Sequence, residues 1–476
     1  MSFKNSICQS LVTLLGPEKV VSAGSDAYNA SISSYFTDQA VTPPPLCVAL
    51  PSTTAEVSQV VTLLTSDPTI EQCDFAIRSG GHSTVPNAAN APGSVTIDLQ
   101  ALNTIQIKND SVVSVGAGAK WDAVYAKLGA VGRAAAGGRI GGVGVSGLTL
   151  GGGISYFGPR HGWTCDTAVA FEVVLADGSV VEVDEAHDPE LLAGLRGSSN
   201  NLGIVTRIDL KTFEQGQLWH GSIYSALTDI EAHAEVFADI TQPANYDENA
   251  SFLFGFGYSE SQNLSVLIHE LVYTEPRENP AYYQGFIELP SVYNASSIVS
   301  AEELAIQGAA LLPIGQARYL YTTTTFLPTS AMTQAAFSIW NDALHGMRDI
   351  KGLSWSISLE PIPPSLYKGG AAKNVLGLED RTSTLVVCLS TQTWQNPVDD
   401  SRIKAASTAW VTAVEEAAHK LDAFDAYKYL NYAAQWQDPI SSYGSASLKR
   451  LRKLQARVDP HGVFTRRVPG GFKIPA

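Results

Sequence analysis

Eleven of the twenty-five residues between 129 and 153, GAVGRAAAGGRIGGVGVSGLTLGGG, are glycine. Glycine loses more backbone entropy on folding than any other residue. A run this dense is unfavourable unless the backbone must pass close to something large. A second, shorter turn, Ser79-Gly80-Gly81-His82, interrupts AIRSGGHSTVPNAANAPGSVTIDL, where a strand runs into a loop and out into another strand. Both turns follow β-rich segments, and backbone N–H groups in glycine turns form anion-binding nests without any helix. Together they predict a cradle for a large, phosphate-bearing ligand. The histidine at the tip of the first turn needs a separate explanation, since a bare turn does not require one.

The 476 residues exceed one comfortable core, so more than one packed unit is expected. Thr53-Thr-Ala-Glu56 is a capping box, followed by Val57, Val60, Val61 and Leu64 at helical spacing. Short β runs follow at Phe75–Arg78, Val95–Leu99, Ile105–Ile107 and Val112–Val115, and VAFEVVLADGSVVEVD reads as a hairpin around Asp177-Gly178. From about residue 213 the texture changes. Phe252, Phe254, Phe256 and Tyr258 alternate strictly, predicting a strand with one aromatic face. Further strands are expected at 317–326, 352–362 and 383–394, with helices at 227–240, 330–346 and 401–420. The chain closes on a basic amphipathic helix and a Pro/Gly stop. The pattern is α+β: a mixed first unit, then an antiparallel sheet covered by helices.

Several function classes fall away. The net charge is −15 and no Lys/Arg run is present, which speaks against nucleic acid or an anionic membrane as partner. No stretch approaches 18 apolar residues, so no transmembrane helix is expected. The N-terminus reads as an amphipathic helix without a cleavage pattern, which leaves the chain intracellular as it stands and secreted if a leader has been removed. Five Asn-x-Ser sequons, at Asn29, Asn109, Asn249, Asn263 and Asn294, hint at secretion. The five cysteines contain no CxxC, and the nine histidines no HxH, HxxH or HExxH pair, so no metal site is expected. No G-x-S-x-G elbow is present for a serine hydrolase. Gly142-Val-Gly144-Val-Ser-Gly147 matches G-x-G-x-x-G, but neither a strand before it nor a helix after it is expected, so a Rossmann site is rejected.

The residues carry a resemblance. R-S-G-G-H-S at 78–83 followed by V-T-I-D-L resembles the FAD-binding domain of the vanillyl-alcohol oxidase superfamily, also called the p-cresol methylhydroxylase (PCMH) family. VGVSGLTLGGGISYFGPRHGWTCD, LRGSSNNLGIVT, and YLNYA with SYG and DPHGVF are similar to the later segments of its berberine-bridge-enzyme-like branch, especially fungal FAD-linked oxidases. The resemblance runs nearly end to end. It implies a two-part FAD-binding domain of PCMH type, residues 1–212 and 426–476, around a substrate domain at 213–425. It also implies FAD held by Arg78, Ser79, Gly80, Gly81, His82 and Ser83 in the first motif and by Gly144, Gly147, Leu148, Gly151, Gly152 and Gly153 in the second. Gly203 and Val205 in the third and Asn431 and Tyr432 in the last complete the set. By resemblance His82 carries the flavin covalently at its 8α-methyl carbon. Doubly linked members have a cysteine where this chain has Ile140, so a single link is expected and oligosaccharide oxidation becomes the alternative rather than the first reading. Cysteines in similar places in fungal relatives imply a Cys8–Cys47 disulfide.

The implied function is an FAD-dependent oxidase that moves hydride from a CH–OH or CH–NH group of a small organic substrate, of the secondary-metabolite kind, to the flavin. O2 then takes the electrons and gives H2O2. From another class, a non-redox cyclase using the same fold is kept open. GLSWSISLEPI places Ser354, Ser356, Ser358 and Glu360 on one strand face. Glu360 is the leading candidate base, with Tyr321, Tyr432 and Tyr319 as alternatives. The aromatic face from Phe252 mildly favours a closed aromatic pocket. The partners expected are the substrate and O2, with the chain a monomer or weak dimer.

Overall fold

The capping box starts a helix where the pattern puts it. In the computed structural model, which describes residues 3–41, 44–66, 73–368 and 373–476, the helix runs Thr54–Ser66. Thr53 Oγ1 accepts from the Glu56 N–H at 3.2 Å. The Glu56 carboxylate reaches back one residue further than the motif requires, accepting from Ser52 N–H at 2.7 Å, and pairs with Lys19 at 2.5 Å. Val57, Val60, Val61 and Leu64 are fully buried beside a four-stranded sheet in the order Val20–Val21, Cys47–Ala49, Val95–Asp98, Phe75–Arg78. The last three strands are parallel, and the helix makes the crossover that parallel strands need. Cys8, in helix Phe3–Leu15, is disulfide-bonded to Cys47 with Cα atoms 6.1 Å apart, as the resemblance implies.

A second, antiparallel sheet follows in the order Ile105–Asn109, Val112–Gly116, Ile204–Lys211, Ala168–Val174, Val180–Asp184. Its last two strands form the expected hairpin. Gly178 in the turn has φ +83°, a region that L side chains rarely adopt.

The third sheet has eight antiparallel strands: Tyr293–Val299, Leu218–Ser225, Leu264–Tyr273, Ala250–Ser259, Ser354–Ile362, Leu385–Trp394, Arg318–Phe326 and Phe424–Asp425. Helices Ile230–Ile240, Ser330–His345 and Asp400–Lys420 share one core with it. The alternating aromatics belong to that core. Phe254 meets Phe237 at 5.5 Å between ring centres and Phe256 meets Trp340 at 5.1 Å. This corrects the expectation that they favour an aromatic substrate pocket: period-two alternation defines a face, and the helices bury that face. Glu360 projects on the other side of the sheet from Trp355, Ile357 and Leu359.

The G-x-G-x-x-G match has a different local structure from the one expected. Gly144 does lead into a helix, Val145–Leu150, of six residues, and Gly147 lies inside it. The preceding strand, Arg133–Ala134, has only two residues and pairs antiparallel with Phe213–Glu214. That is no βαβ unit, so the rejection of a Rossmann site stands on geometry.

Candidate active site

The two glycine turns meet. A Cβ on Gly80 would stand 2.5 Å from Gly144 N, and one on Gly144 would stand 2.5 Å from Gly80 N. Glycine here lets two backbones touch, a purpose different from approaching a phosphate directly. Lys120 joins the turns from beneath, donating to Gly80 O at 3.0 Å and Gly142 O at 2.9 Å. Sequence reading passed over this lysine, because nothing in its neighbourhood marks it. The Arg78 guanidinium lies against the first turn, where a Cβ on Gly81 would stand 2.9 Å from its Nε. It donates to Ser31 O (2.6 Å) and Ser34 Oγ (2.7 Å), pairs with Asp98 at 3.3 Å and lies over the Tyr35 ring. Ser79 Oγ donates to Ala117 O at 2.7 Å. Gly81 has φ +67°, and Ser83 is exposed.

His82 stacks on Phe36 with ring centres 3.7 Å apart and planes 14° from parallel. Its Nε2 is shielded from solvent and has no hydrogen-bond partner. Burial, reinforced by the Lys120 ammonium, pushes the imidazole pKa down to about 3. A neutral ring with a free nitrogen is a nucleophile in waiting. Together with the bare backbone at Gly142 and Gly147, where no protein atom stands within 4 Å of a Cβ position, it fits a flavin nucleotide laid along the turns.

From His82 a wall of aromatic rings leads to the candidate bases. Phe36 touches Tyr319 (4.3 Å), Tyr319 touches Tyr321 (6.5 Å), and Tyr321 touches Tyr432 (6.1 Å). Alternation along Arg318–Phe326 puts both tyrosines on one face. The terminal segment is anchored to the glycine run at the far end. Asn431 Nδ2 donates to Leu148 O at 3.0 Å, and Tyr429 Oη accepts from Gly153 N–H at 3.1 Å and Ile154 N–H at 3.0 Å. A Cβ on Gly151 would overlap Asn431 Oδ1, while Gly152 and Gly153 take φ of +109° and +89°. Val205 is buried in strand Ile204–Lys211, next to Gly203. A Cβ on Gly203 would strike Val173 Cγ1 at 2.4 Å.

At the end of this wall Glu360, Tyr432 and a residue the sequence reading missed form one cluster. Arg139 Nη2 donates to Glu360 Oε1 at 2.8 Å and to Tyr432 Oη at 2.7 Å. Tyr432 Oη in turn donates toward the two Glu360 oxygens at 3.2 and 3.3 Å. Glu360 is buried. Burial opposes the charge on Arg139, but Glu360 and Tyr432 hold the guanidinium protonated well above its ordinary range. Burial also drives the Tyr432 phenol well above 10; Arg139 pulls it down and Glu360 pushes it up. Tyr321 is raised by burial and by Glu360. The signal for Arg139 was present in the sequence: the glycine run carries two arginines, Arg133 and Arg139, and an arginine is costly to bury without a partner. Its neighbour Ile140 points at helix Ala301–Ala310, where its Cδ1 lies 2.8 Å from a Cβ position at Gly308.

The comparisons with known proteins agree with this geometry. The family model for an FAD binding domain matches residues 45–184, which hold both glycine turns and Lys120. The chain is 38% identical, over 98% of its length, to the protein named oligopeptidase PhomG' of Diaporthe leptostromiformis, of which it spans 37%. It is 32% identical to the FAD-dependent monooxygenase sdcF of Emericella nidulans, across 98% of each. In fold it is similar to a berberine bridge enzyme variant solved with (S)-reticuline, with a TM-score of 0.79, 16% identity and 98% of both chains covered. The chain thus belongs to the same family as these FAD-dependent fungal proteins, has the fold of the berberine bridge enzyme, and has FAD as its cofactor.

Proposed function

We propose that the protein is an FAD-dependent oxidase of a small organic substrate bearing a CH–OH or CH–NH group, of the secondary-metabolite kind, with the flavin joined to His82. When bound, FAD accepts hydride from the substrate carbon and passes the electron pair to O2, giving H2O2. The observation that carries this reading is the Arg139–Glu360–Tyr432 cluster, because hydride loss from such a carbon requires a proton to leave the neighbouring O–H or N–H. Tyr432 is the group that meets that proton. With its phenol pKa raised, it is not a standing tyrosinate, so it takes the proton only by handing its own to Glu360 in the same event. Arg139 orients both partners through one Nη2 and keeps the cluster charged. Asn431, tied to Leu148 O, fixes Tyr432 against the glycine run.

Ile140 supports the single link to His82, since its side chain offers no sulfur and lies against Gly308. By resemblance, the doubly linked members of the branch include its carbohydrate oxidases, which leaves oligosaccharides as the second reading.

Anaerobic mixing with candidate substrates, followed by O2, tests the proposal. The flavin band near 450 nm should bleach without O2, and on re-aeration each O2 consumed should yield one H2O2. Bleaching absent while product forms would point to a non-redox cyclase. Isotope from 18O2 appearing in the product would instead make the protein a monooxygenase, the activity in the name of its sdcF relative.

A further inference from the structure

The C-terminal tail carries a cation, Lys473, that meets no counter-charge among the described residues. Residues 468–475 read VPGGFKIP, with Val468 and Ile474 buried at either end. The backbone between them is pinned to the third glycine-bearing segment: Asn201 Nδ2 donates to Phe472 O at 2.9 Å, and Ile474 N donates to Asn201 Oδ1 at 3.2 Å. On its other side the tail presses on the loop that follows His82. A Cβ on Gly470 would stand 1.8 Å from Asn87 O, so only glycine passes there. The turn holding Asn200 and Asn201 reaches the glycine run as well, since Ser199 N–H donates to Leu150 O at 2.9 Å. The tail therefore touches the third segment and the loop after His82, and the Asn200–Asn201 turn links it to the glycine run.

Lys473 sits at the junction. Its ammonium carries three donors yet meets one neutral oxygen, Asn200 Oδ1, at 3.5 Å. Burial alone pushes its pKa down to about 7, with no neighbouring carboxylate acting the other way. Lys473 is half-buried, and an ammonium partly withdrawn from water with no opposite charge beside it gains by pairing with an anion.

The other cations of these segments are engaged. Arg78 is held by Asp98, Ser31 and Ser34. Lys120 is held by the Gly80 and Gly142 carbonyls, and Arg139 by Glu360 and Tyr432. Arg196 donates to Ala168 O at 2.6 Å and Lys373 O at 2.8 Å. On a chain of net charge −15, a local positive group adds to what backbone N–H groups supply and offsets the repulsion of a dianionic diphosphate. We propose that Lys473 pairs with the diphosphate of FAD, so that the C-terminal tail supplies the cofactor's counter-charge. The inference rests on FAD as the cofactor and is independent of where the flavin is attached.

The test uses His82→Ala apo-protein from riboflavin-starved cells, titrated with FAD, ADP and riboflavin while protein fluorescence is followed. This background removes covalent capture from every titration. Lys473→Met should weaken FAD and ADP by about 10- to 100-fold, the range for a hydrogen bond to a charged group. Riboflavin, which has no phosphate, should bind both proteins alike. Lys473→Arg should restore most of the affinity, and the FAD affinity of the Lys473 protein should fall with added salt. Unchanged FAD affinity in Lys473→Met overturns the proposal. An equal loss for all three ligands also overturns it, since the tail would then be a structural strap only.

Discussion

Glu360→Gln is expected to lower kcat and kcat/KM for flavin reduction together, by about 10²- to 10⁴-fold, the usual worth of general-base assistance. The isostere keeps the hydrogen bond from Arg139 but takes away the carboxylate that receives the Tyr432 proton. The contact is strongest in the transition state, as the substrate proton moves, so its loss raises the barrier from both reference states. Substitution by alanine is less informative: stranding a buried guanidinium costs about 3–5 kcal/mol and would confuse folding with chemistry. If KM rises while anaerobic reduction at saturation is unchanged, Glu360 only holds the substrate. If neither moves, the base lies elsewhere on the aromatic wall, with Tyr321 the next candidate.

His82→Ala should abolish covalent flavin. Acid-precipitated wild-type protein should stay yellow, while the variant should release its flavin to the supernatant under the same treatment. The basis is the environment of the ring as much as its place after two glycines. Phe36 and burial hold it neutral far below physiological pH, and Lys120 adds a like charge that disfavours the imidazolium. The Nε2 lone pair is therefore available across the neutral range, and attachment should proceed equally well at pH 6 and pH 8. Ile140→Ala in the wild-type background should keep the flavin bound, because that side chain takes no part in the link. Flavin still protein-bound in precipitated His82→Ala would remove the histidine from the account.

How much of this was legible in the residues depended on the kind of constraint. The helix after Thr53, the hairpin at Asp177-Gly178 and the long strands of the third sheet follow from capping, turn chemistry and period, which are local. The side of the sheet on which Phe252–Tyr258 packs is not local; it is decided by helices as far off as the one carrying Trp340, 84 residues beyond Phe256. Glu360 was reachable because alternation separates it from Trp355, Ile357 and Leu359. Its partners were not, since Arg139 lies 221 residues upstream and Tyr432 lies 72 downstream. Arg78 shows the reverse case. Its place in the R-S-G-G-H motif implies a cofactor contact, yet Nη1 and Nη2 are taken up inside the protein by Asp98 and two serines, and only the buried Nε lacks a partner among the described residues. A motif gives the backbone path, while the direction of a long side chain depends on what packs around it.

The claim at the centre of the account is that Tyr432 and Glu360 act as one proton relay. A double-mutant cycle on anaerobic flavin reduction, with Glu360→Gln, Tyr432→Phe and the pair, measures that coupling directly. The account predicts that the double variant reduces its flavin no more slowly than the slower single variant, because either change breaks the same relay. Losses that multiply, leaving the double variant slower by the product of the two single effects, would mean two independent groups and would contradict it.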